Sequence, residues 1–184
     1  DGRVWVGERG GRVDKLDPVT GKSEHVVSDM RGDVIGMTED DQDRLWIATQ
    51  GSLYRYARGK LDKVPTAERG MVHPLEVEVG PDGKLYARTF AEGLFRVDQD
   101  TLEVTPVSFL PAEEKTRWGA QLTLVGGVFW YASDGGLWRL DHSYDHFEPV
   151  PGVRNDRKVD AFIFTPDGKR MWMARPDGLE RYRL

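Results

Sequence analysis

Arg44-Leu-Trp-Ile47 is followed, seven residues after its tryptophan, by Leu53-Tyr-Arg-Tyr56. The first phrase recurs as Gly2-Arg-Val-Trp-Val6, Lys84-Leu-Tyr-Ala87, Val128-Phe-Trp-Tyr131 and Arg170-Met-Trp-Met173. The second recurs as Val13-Asp-Lys-Leu16, Leu94-Phe-Arg-Val97, Leu137-Trp-Arg-Leu140 and Leu179-Glu-Arg-Tyr182. The central aromatics Trp5, Trp46, Tyr86, Trp130 and Trp172 stand 41, 40, 44 and 42 residues apart. A period of about 42 residues, built from several short β-prone stretches, is the signature of a β-propeller.

Working outward from Trp46, Val34 to Thr38 is small and apolar and reads as an inner strand. Glu39-Asp-Asp-Gln-Asp43 reads as a turn whose side chains bond their own backbone. Leu45 to Thr49 and Leu53 to Tyr56 are aromatic and branched, and suit the next two strands. Ala57 to Lys60 turns again, and Leu61 to Val64 makes a short outer strand. Elsewhere the first turn is Gly80-Pro-Asp-Gly83 or Thr165-Pro-Asp-Gly168, and repeat four uses Val125-Gly-Gly127. No stretch sustains a helical period, although 112–117 has room for one helical turn.

The expected fold is therefore all-β: four-stranded antiparallel blades, about four to five in number, at approximately 1–30, 31–70, 71–110, 111–153 and 154–184. The first repeat lacks its innermost strand, and the last stops after its third. The 184 residues are expected to be part of a larger propeller rather than a closed monomeric ring. They would pack against the remainder of the same propeller or self-associate.

Composition narrows the functional classes. With 39% hydrophobic and 31% charged residues, the chain belongs with globular domains rather than disordered ones. A net charge of −5 disfavours duplex nucleic acid as a partner. No apolar run reaches the length of a membrane span, so no membrane contact is expected of this stretch. The absence of cysteine excludes disulfides, thiolate metal sites and a cysteine nucleophile.

Asp43 to Thr49 with Leu53 to Tyr56, and Asp1 to Gly7 with Leu16 to Gly21, resemble the two-component-regulator propeller repeat. Asp134 to Asp141 and Asp177 to Tyr182 carry its second half. The resemblance implies the extracytoplasmic, hence periplasmic, sensor region of a bacterial signal-transduction receptor. In such receptors the propeller precedes a membrane span and a histidine kinase or diguanylate cyclase output. The first repeat, Asp1 to Lys22, is also similar to blades of streptogramin-lyase-like propellers. That second resemblance implies a metal-dependent site of histidine and acidic residues.

Catalytic signatures are missing. No phosphate loop leads from a strand into a helix, and no Gly-x-Ser-x-Gly elbow is present. His142 and His146 have an i, i+4 spacing but fall in an outer turn, remote from a central cavity. The run Glu39 to Asp43 has Arg44 where a calcium loop needs glycine. Both are read as ordinary turns, with no cofactor and no metal. A lyase- or lactonase-like enzyme would draw on His73 and Asp160, the only inner-strand residues of suitable type.

Propeller ligands bind over the central channel, where the turns between strands two and three meet the connections from strand four to the next blade. That rim holds Arg9, Gln50, Phe90, Glu92, Asp134, Arg175 and Asp177, and the inner-strand entries add Asp33, His73, Trp118 and Lys158. Arg9, Gln50, His73, Glu92, Trp118, Asp134 and Arg175 are the candidate ligand-binding residues. The repeated tryptophans are expected to pack between blades, and Trp118, out of phase with them, to stack on a ligand. The expected function is non-catalytic binding of a small ligand or a protein.

Overall fold

The structure is a computed structural model that describes residues 2–90, 92–109 and 119–183. Its strands form five sheets, one per repeat. Blade 1 holds β1 (Val4–Glu8), β2 (Arg12–Leu16) and β3 (Ser23–Val27). Blade 2 holds β4 (Val34–Glu39), β5 (Leu45–Thr49), β6 (Ser52–Ala57) and β7 (Lys60–Lys63). A 3-10 turn, Ala67–Arg69, leads to blade 3. There β8 (Pro74–Val79), β9 (Leu85–Thr89), β10 (Leu94–Val97) and β11 (Val104–Pro106) follow. A two-residue strand, β12 (Ser108–Phe109), precedes blade 4. Blade 4 holds β13 (Gly119–Val125), β14 (Val128–Ser133), β15 (Gly136–Leu140) and β16 (His146–Pro149). Blade 5 holds β17 (Ala161–Phe164), β18 (Arg170–Arg175) and β19 (Gly178–Arg183). The chain is a β-propeller fragment of antiparallel blades, as the period of the sequence requires.

Blades 2 and 3 have the simple four-strand order, and blades 1 and 5 have three strands each. Blade 4 departs from the expected four strands. β12 arrives from blade 3 and pairs in parallel with the outer edge of β16, which makes a fifth strand. Successive blades pack through β1, β4, β8, β13 and β17 in order, and among the described residues no comparable packing joins blade 5 to blade 1.

The repeat's aromatics explain why neighbouring sheets cohere. Alternate residues of a strand face opposite sides of the sheet. The central aromatic therefore faces the next blade, and its two flanking residues face the previous one. Trp46 shares a core with Leu85 and Ala87, Tyr86 with Phe129 and Tyr131, and Trp130 with Met171 and Met173. Trp5 packs in the same way on the core of Leu45 and Ile47. Trp172 occupies the corresponding place in blade 5 but is 41% exposed, because no described blade lies beyond it.

Turn chemistry recurs with equal regularity. Asp17, Asp98 and Asp141 close the third strand, and their carboxylates accept backbone N–H groups two or three residues ahead. These bonds hold Asp17 and Asp98 below the usual carboxylate range, those from Thr20 and Thr101 contributing most. In the acidic turn of blade 2, Glu39 and Asp41 to Asp43 are exposed, as an ordinary turn allows, and Asp40 is the exception. Asp40 is buried and accepts Trp46 Nε1–H at 2.8 Å and Arg44 Nε–H at 2.6 Å. Arg44 also reaches Asp100 Oδ1 in blade 3 at 2.6 Å. Burial raises the Asp40 pKa, but the donors from Trp46 and Arg44 outweigh it and hold the carboxylate ionised.

Candidate functional site

Backbone hydrogen bonds assemble the rim. Gln50 N–H donates to the Asp33 carbonyl at 3.2 Å, Phe90 N–H to the His73 carbonyl at 3.2 Å, and Val159 N–H to the Ser133 carbonyl at 3.1 Å. Gly10 N–H donates to Asp33 Oδ1 at 2.9 Å. Each bond ties a turn between second and third strands to a connection that enters an inner strand. Both loop sets therefore share one face.

The candidate residues fall into three groups along that face. Arg9 and Gln50 are exposed and flank Asp33 between blades 1 and 2. His73 and Glu92 belong to blade 3. His73 is exposed and has a φ of 52°, a left-handed conformation that is costly for a non-glycine residue. It stands immediately before Pro74, so the strain sits at the entry to β8. Glu92 is exposed, and its N–H donates to Thr89 Oγ1 at 3.1 Å. Trp118 lies outside the described residues.

Asp134 and Arg175 belong to a corner between blades 4 and 5. Arg175 is buried, and its guanidinium donates to the Arg154 carbonyl at 2.8 Å, the Arg157 carbonyl at 2.9 Å and Glu180 Oε2 at 2.6 Å. It braces the connection Val150 to Asp160 from beneath. Arg157 pairs with Asp177 across the top of that loop. Lys158 Nζ lies 2.9 Å from Asp160, whose carboxylate holds the ammonium above its ordinary range.

Two polar atoms in this corner are unsatisfied among the described residues. Asp134 Oδ1 is buried without a hydrogen-bond partner, and Lys158 Nζ approaches it only to 4.0 Å. Asn155 Nδ2 is likewise buried and unpartnered. The Asn155 Oδ1 atom is committed to Leu137 N–H at 3.0 Å. It lies so close to Gly136 that a Cβ there would meet it at 2.3 Å. An unmet acceptor and an unmet donor thus sit at the two ends of one turn.

Sequence reasoning missed a further set of polar residues on the inner strands. Glu76 Oε2 accepts Arg88 Nε–H and the Leu122 backbone N–H, each at 2.9 Å, and so ties β8 to β13. Gln121 Oε1 accepts Phe162 N–H at 3.0 Å and ties β13 to β17. The same position holds Gly36 in blade 2, where a Cβ would lie 2.9 Å from the Leu75 carbonyl oxygen. The signal was the alternation of Gly36, Glu76, Gln121 and Ala161 at one repeat position. Two residues on, Glu78 is pushed above the usual carboxylate range by burial and by the charge of Glu76.

Among the described residues, no three histidine, aspartate or glutamate side chains converge as ligands would. His73 stands at the entry to β8 and Asp160 at the entry to β17, two blades apart. No helix of the described residues is long and apolar enough to cross a membrane. Clefts also open on the face opposite the rim. One of about 500 Å³ lies between blades 2 and 3, lined by Arg44, Lys84, Arg96, Asp98, Asp100 and Glu103.

No protein-family model and no curated protein sequence matches the chain. Solved structures do. The extracellular domain of a hybrid two-component system protein from B. thetaiotaomicron is similar with a TM-score of 0.70 at 16% identity, over 99% of this chain and 26% of that one. The virginiamycin B lyase of Staphylococcus aureus is similar at 0.69 and 14%, over 99% of this chain and 66% of that one. The β-propeller domain of Cps50 from Myceliophteria thermophila is similar at 0.70 and 12%, over 99% of this chain and 62% of that one. The chain spans about a quarter of the sensor domain's length and about two thirds of the lyase's. At these identities the likeness establishes the fold: this chain is built as a β-propeller is.

Proposed function

We propose that the chain is a non-catalytic, ligand- or protein-binding propeller from the extracytoplasmic, periplasmic sensor region of a bacterial signal-transduction receptor of the two-component-regulator propeller family. The observation that carries the binding function is the corner between blades 4 and 5. There Asp134 Oδ1 and Asn155 Nδ2 are buried without hydrogen-bond partners, beside exposed Arg157 and Lys158, which pair with Asp177 and Asp160. Unmet buried polar groups are rare in folded proteins and mark places where something else supplies the bond. An acceptor, a donor and two cations suit a polar ligand with both hydroxyl and acidic character. The backbone likeness to an extracellular sensor domain supports the receptor context.

The rival is a metal-dependent lyase-like propeller, favoured by the equally close backbone of the virginiamycin B lyase. Metal analysis of the dialysed protein separates the two. A stoichiometric divalent ion that survives dialysis refutes the non-catalytic proposal. A thermal-shift screen of sugars and sugar acids on parent and Asp134→Ala protein tests the corner itself. The proposal expects a compound that stabilises the parent and not the variant.

Outward faces extend the proposal to partners. Trp172 and Leu179, 41% and 73% exposed, stand where Trp46 and Leu53 are buried inside the arc. Further blades of the same propeller or a second copy of the chain would cover them. Light scattering across micromolar concentrations reads the second of these directly.

A further inference from the structure

We infer that the cavity between blades 2 and 3, on the face opposite the rim, binds a small zwitterion with one ammonium and one carboxylate: a free amino acid or a short peptide. The geometry of two four-strand blades carries this, independently of the sensor proposal.

Blade 2 satisfies its two repeat arginines internally. Arg44, just before β5, pairs with Asp40 at 2.6 Å. Arg55 in β6 pairs with Asp62, directly opposite in β7, at 2.9 Å. Blade 4 keeps the second of these pairs, Arg139 with Glu148 at 2.7 Å.

Blade 3 keeps both cations and has lost both partners. Lys84 stands where Arg44 stands, because Gly80 N–H donates to the Lys84 carbonyl as Asp40 N–H donates to that of Arg44. Arg96 stands opposite Tyr86 as Arg55 stands opposite Trp46. Gly80 replaces Asp40, and Thr105 replaces Asp62. Packing enforces the first loss. A Cβ on Gly80 would lie 2.6 Å from Cε2 of the buried Tyr86 ring. Lys84 and Arg96 both line the cavity of about 500 Å³ and form no ion pair among the described residues.

Asp41 and Glu103 belong to the same lining, are exposed, and likewise form no ion pair among the described residues. The other lining carboxylates are engaged. Asp82 accepts the Tyr86 hydroxyl at 3.0 Å and Lys84 N–H at 3.1 Å. Asp98 accepts the N–H groups of Asp100 and Thr101, and Asp100 pairs with Arg44 at 2.6 Å. Two cations and two carboxylates thus share one cavity without neutralising one another.

A ligand of a single charge sign leaves one of these pairs unmet and meets like charge from it. A zwitterion answers both. Its carboxylate takes charge-assisted bonds from Arg96 and Lys84, and its ammonium gives them to Asp41 and Glu103. The volume suits a small molecule and not a folded partner. Arg44 bridges Asp40 of blade 2 and Asp100 of blade 3, so the two walls are tied together before a ligand arrives.

The test titrates the isotope-labelled 184-residue chain with glycine, glycylglycine and triglycine at constant ionic strength, and follows amide shifts by NMR. The three probes carry the two charges at increasing separation. At least one should saturate and shift the amides of Gly83 to Leu85 and of Asp98 to Thr105. N-acetylglycine lacks the ammonium and glycinamide lacks the carboxylate, and each should bind at least about tenfold more weakly. Lys84→Gln and Arg96→Gln should each weaken the zwitterion about tenfold, whereas Arg139→Gln, which breaks a paired arginine in blade 4, should leave it unchanged. Lys84 is exposed, so its variant keeps the fold even where Arg96→Gln disturbs the sheet. No shift around the cavity with any of the three probes overturns the inference, as does binding indifferent to Lys84→Gln. Equal binding of N-acetylglycine or glycinamide overturns it too, by assigning the cavity to a plain anion or a plain cation.

Discussion

Trp46→Ala separates a packing role for the repeated aromatic from any other. The ring is fully buried among Leu53, Val77, Leu85 and Ala87 at the contact between blades 2 and 3. Its removal should cost about 3–5 kcal/mol for the lost burial and the cavity left behind. The indole also donates to the buried Asp40 carboxylate at 2.8 Å. Trp46→Phe keeps most of the ring and removes only that donor, and should cost about 1–3 kcal/mol. Trp172→Ala is the internal control, because the same repeat position there is 41% exposed and stacks only with Arg181. Its cost should be about 1 kcal/mol or less, as for an exposed site away from a core. Urea titration followed by far-UV circular dichroism measures all three. A Trp46→Ala loss below about 1 kcal/mol, or one equal to that of Trp172→Ala, would refute the inter-blade packing account.

Two further perturbations follow from the site. Glu78 keeps its proton to a higher pH in the folded state than the unfolded value of about 4.3, so folding stability falls as pH rises through that value toward the folded one. Glu78→Gln removes this loss, and its urea midpoint should gain on the parent's as pH rises above about 4; a difference that stays constant with pH contradicts the raised pKa. Arg175→Met should cost about 2–3 kcal/mol by leaving two carbonyls of the rim connection unpaired and Glu180 with only its Tyr182 donor. Amides of Arg154 to Lys158 should then exchange faster, and unchanged exchange there would remove Arg175 from its bracing role.

What the sequence disclosed is what the repeat constrains. Trp46, Tyr86 and Trp130 had to recur because each covers the next blade, and recurrence is visible without coordinates. The turn aspartates were legible for the same reason. Asp40 was not, because its burial depends on Arg44 reaching across to Asp100, a contact between residues 56 apart. Arg175 was taken for a rim residue from its place beside a turn, and it is one by position. Its side chain nevertheless points inward, drawn by Glu180 and the carbonyls of Arg154 and Arg157. Glu76 and Gln121 escaped notice because each accepts a backbone N–H of the neighbouring inner strand, so that only their shared repeat position with Gly36 and Ala161 marks them in the sequence.

Function is harder to read than fold for a physical reason. Inter-blade packing needs only apolar bulk at fixed positions, so backbones with TM-scores near 0.70 coexist with 12–16% identity across a sensor domain, a lyase and a eukaryotic propeller. Selection for that packing leaves the turns between second and third strands free to differ. In this chain Arg9, Gln50, Phe90, Asp134 and Asp177 occupy them, with no two repeats alike in chemistry except the last pair. Chemistry specific to this protein should therefore gather where the repeat is broken and the break carries a cost. The corner of blades 4 and 5 meets both conditions. Its connection from Val150 to Asp160 is held from below by a buried arginine, and Asp134 and Asn155 are left with unmet polar atoms. A fold that commits three arginine hydrogen bonds to supporting a loop, and leaves a donor and an acceptor beside it without hydrogen-bond partners, bears some cost in stability there. The proposed binding role would account for that cost, and the Asp134→Ala screen tests it.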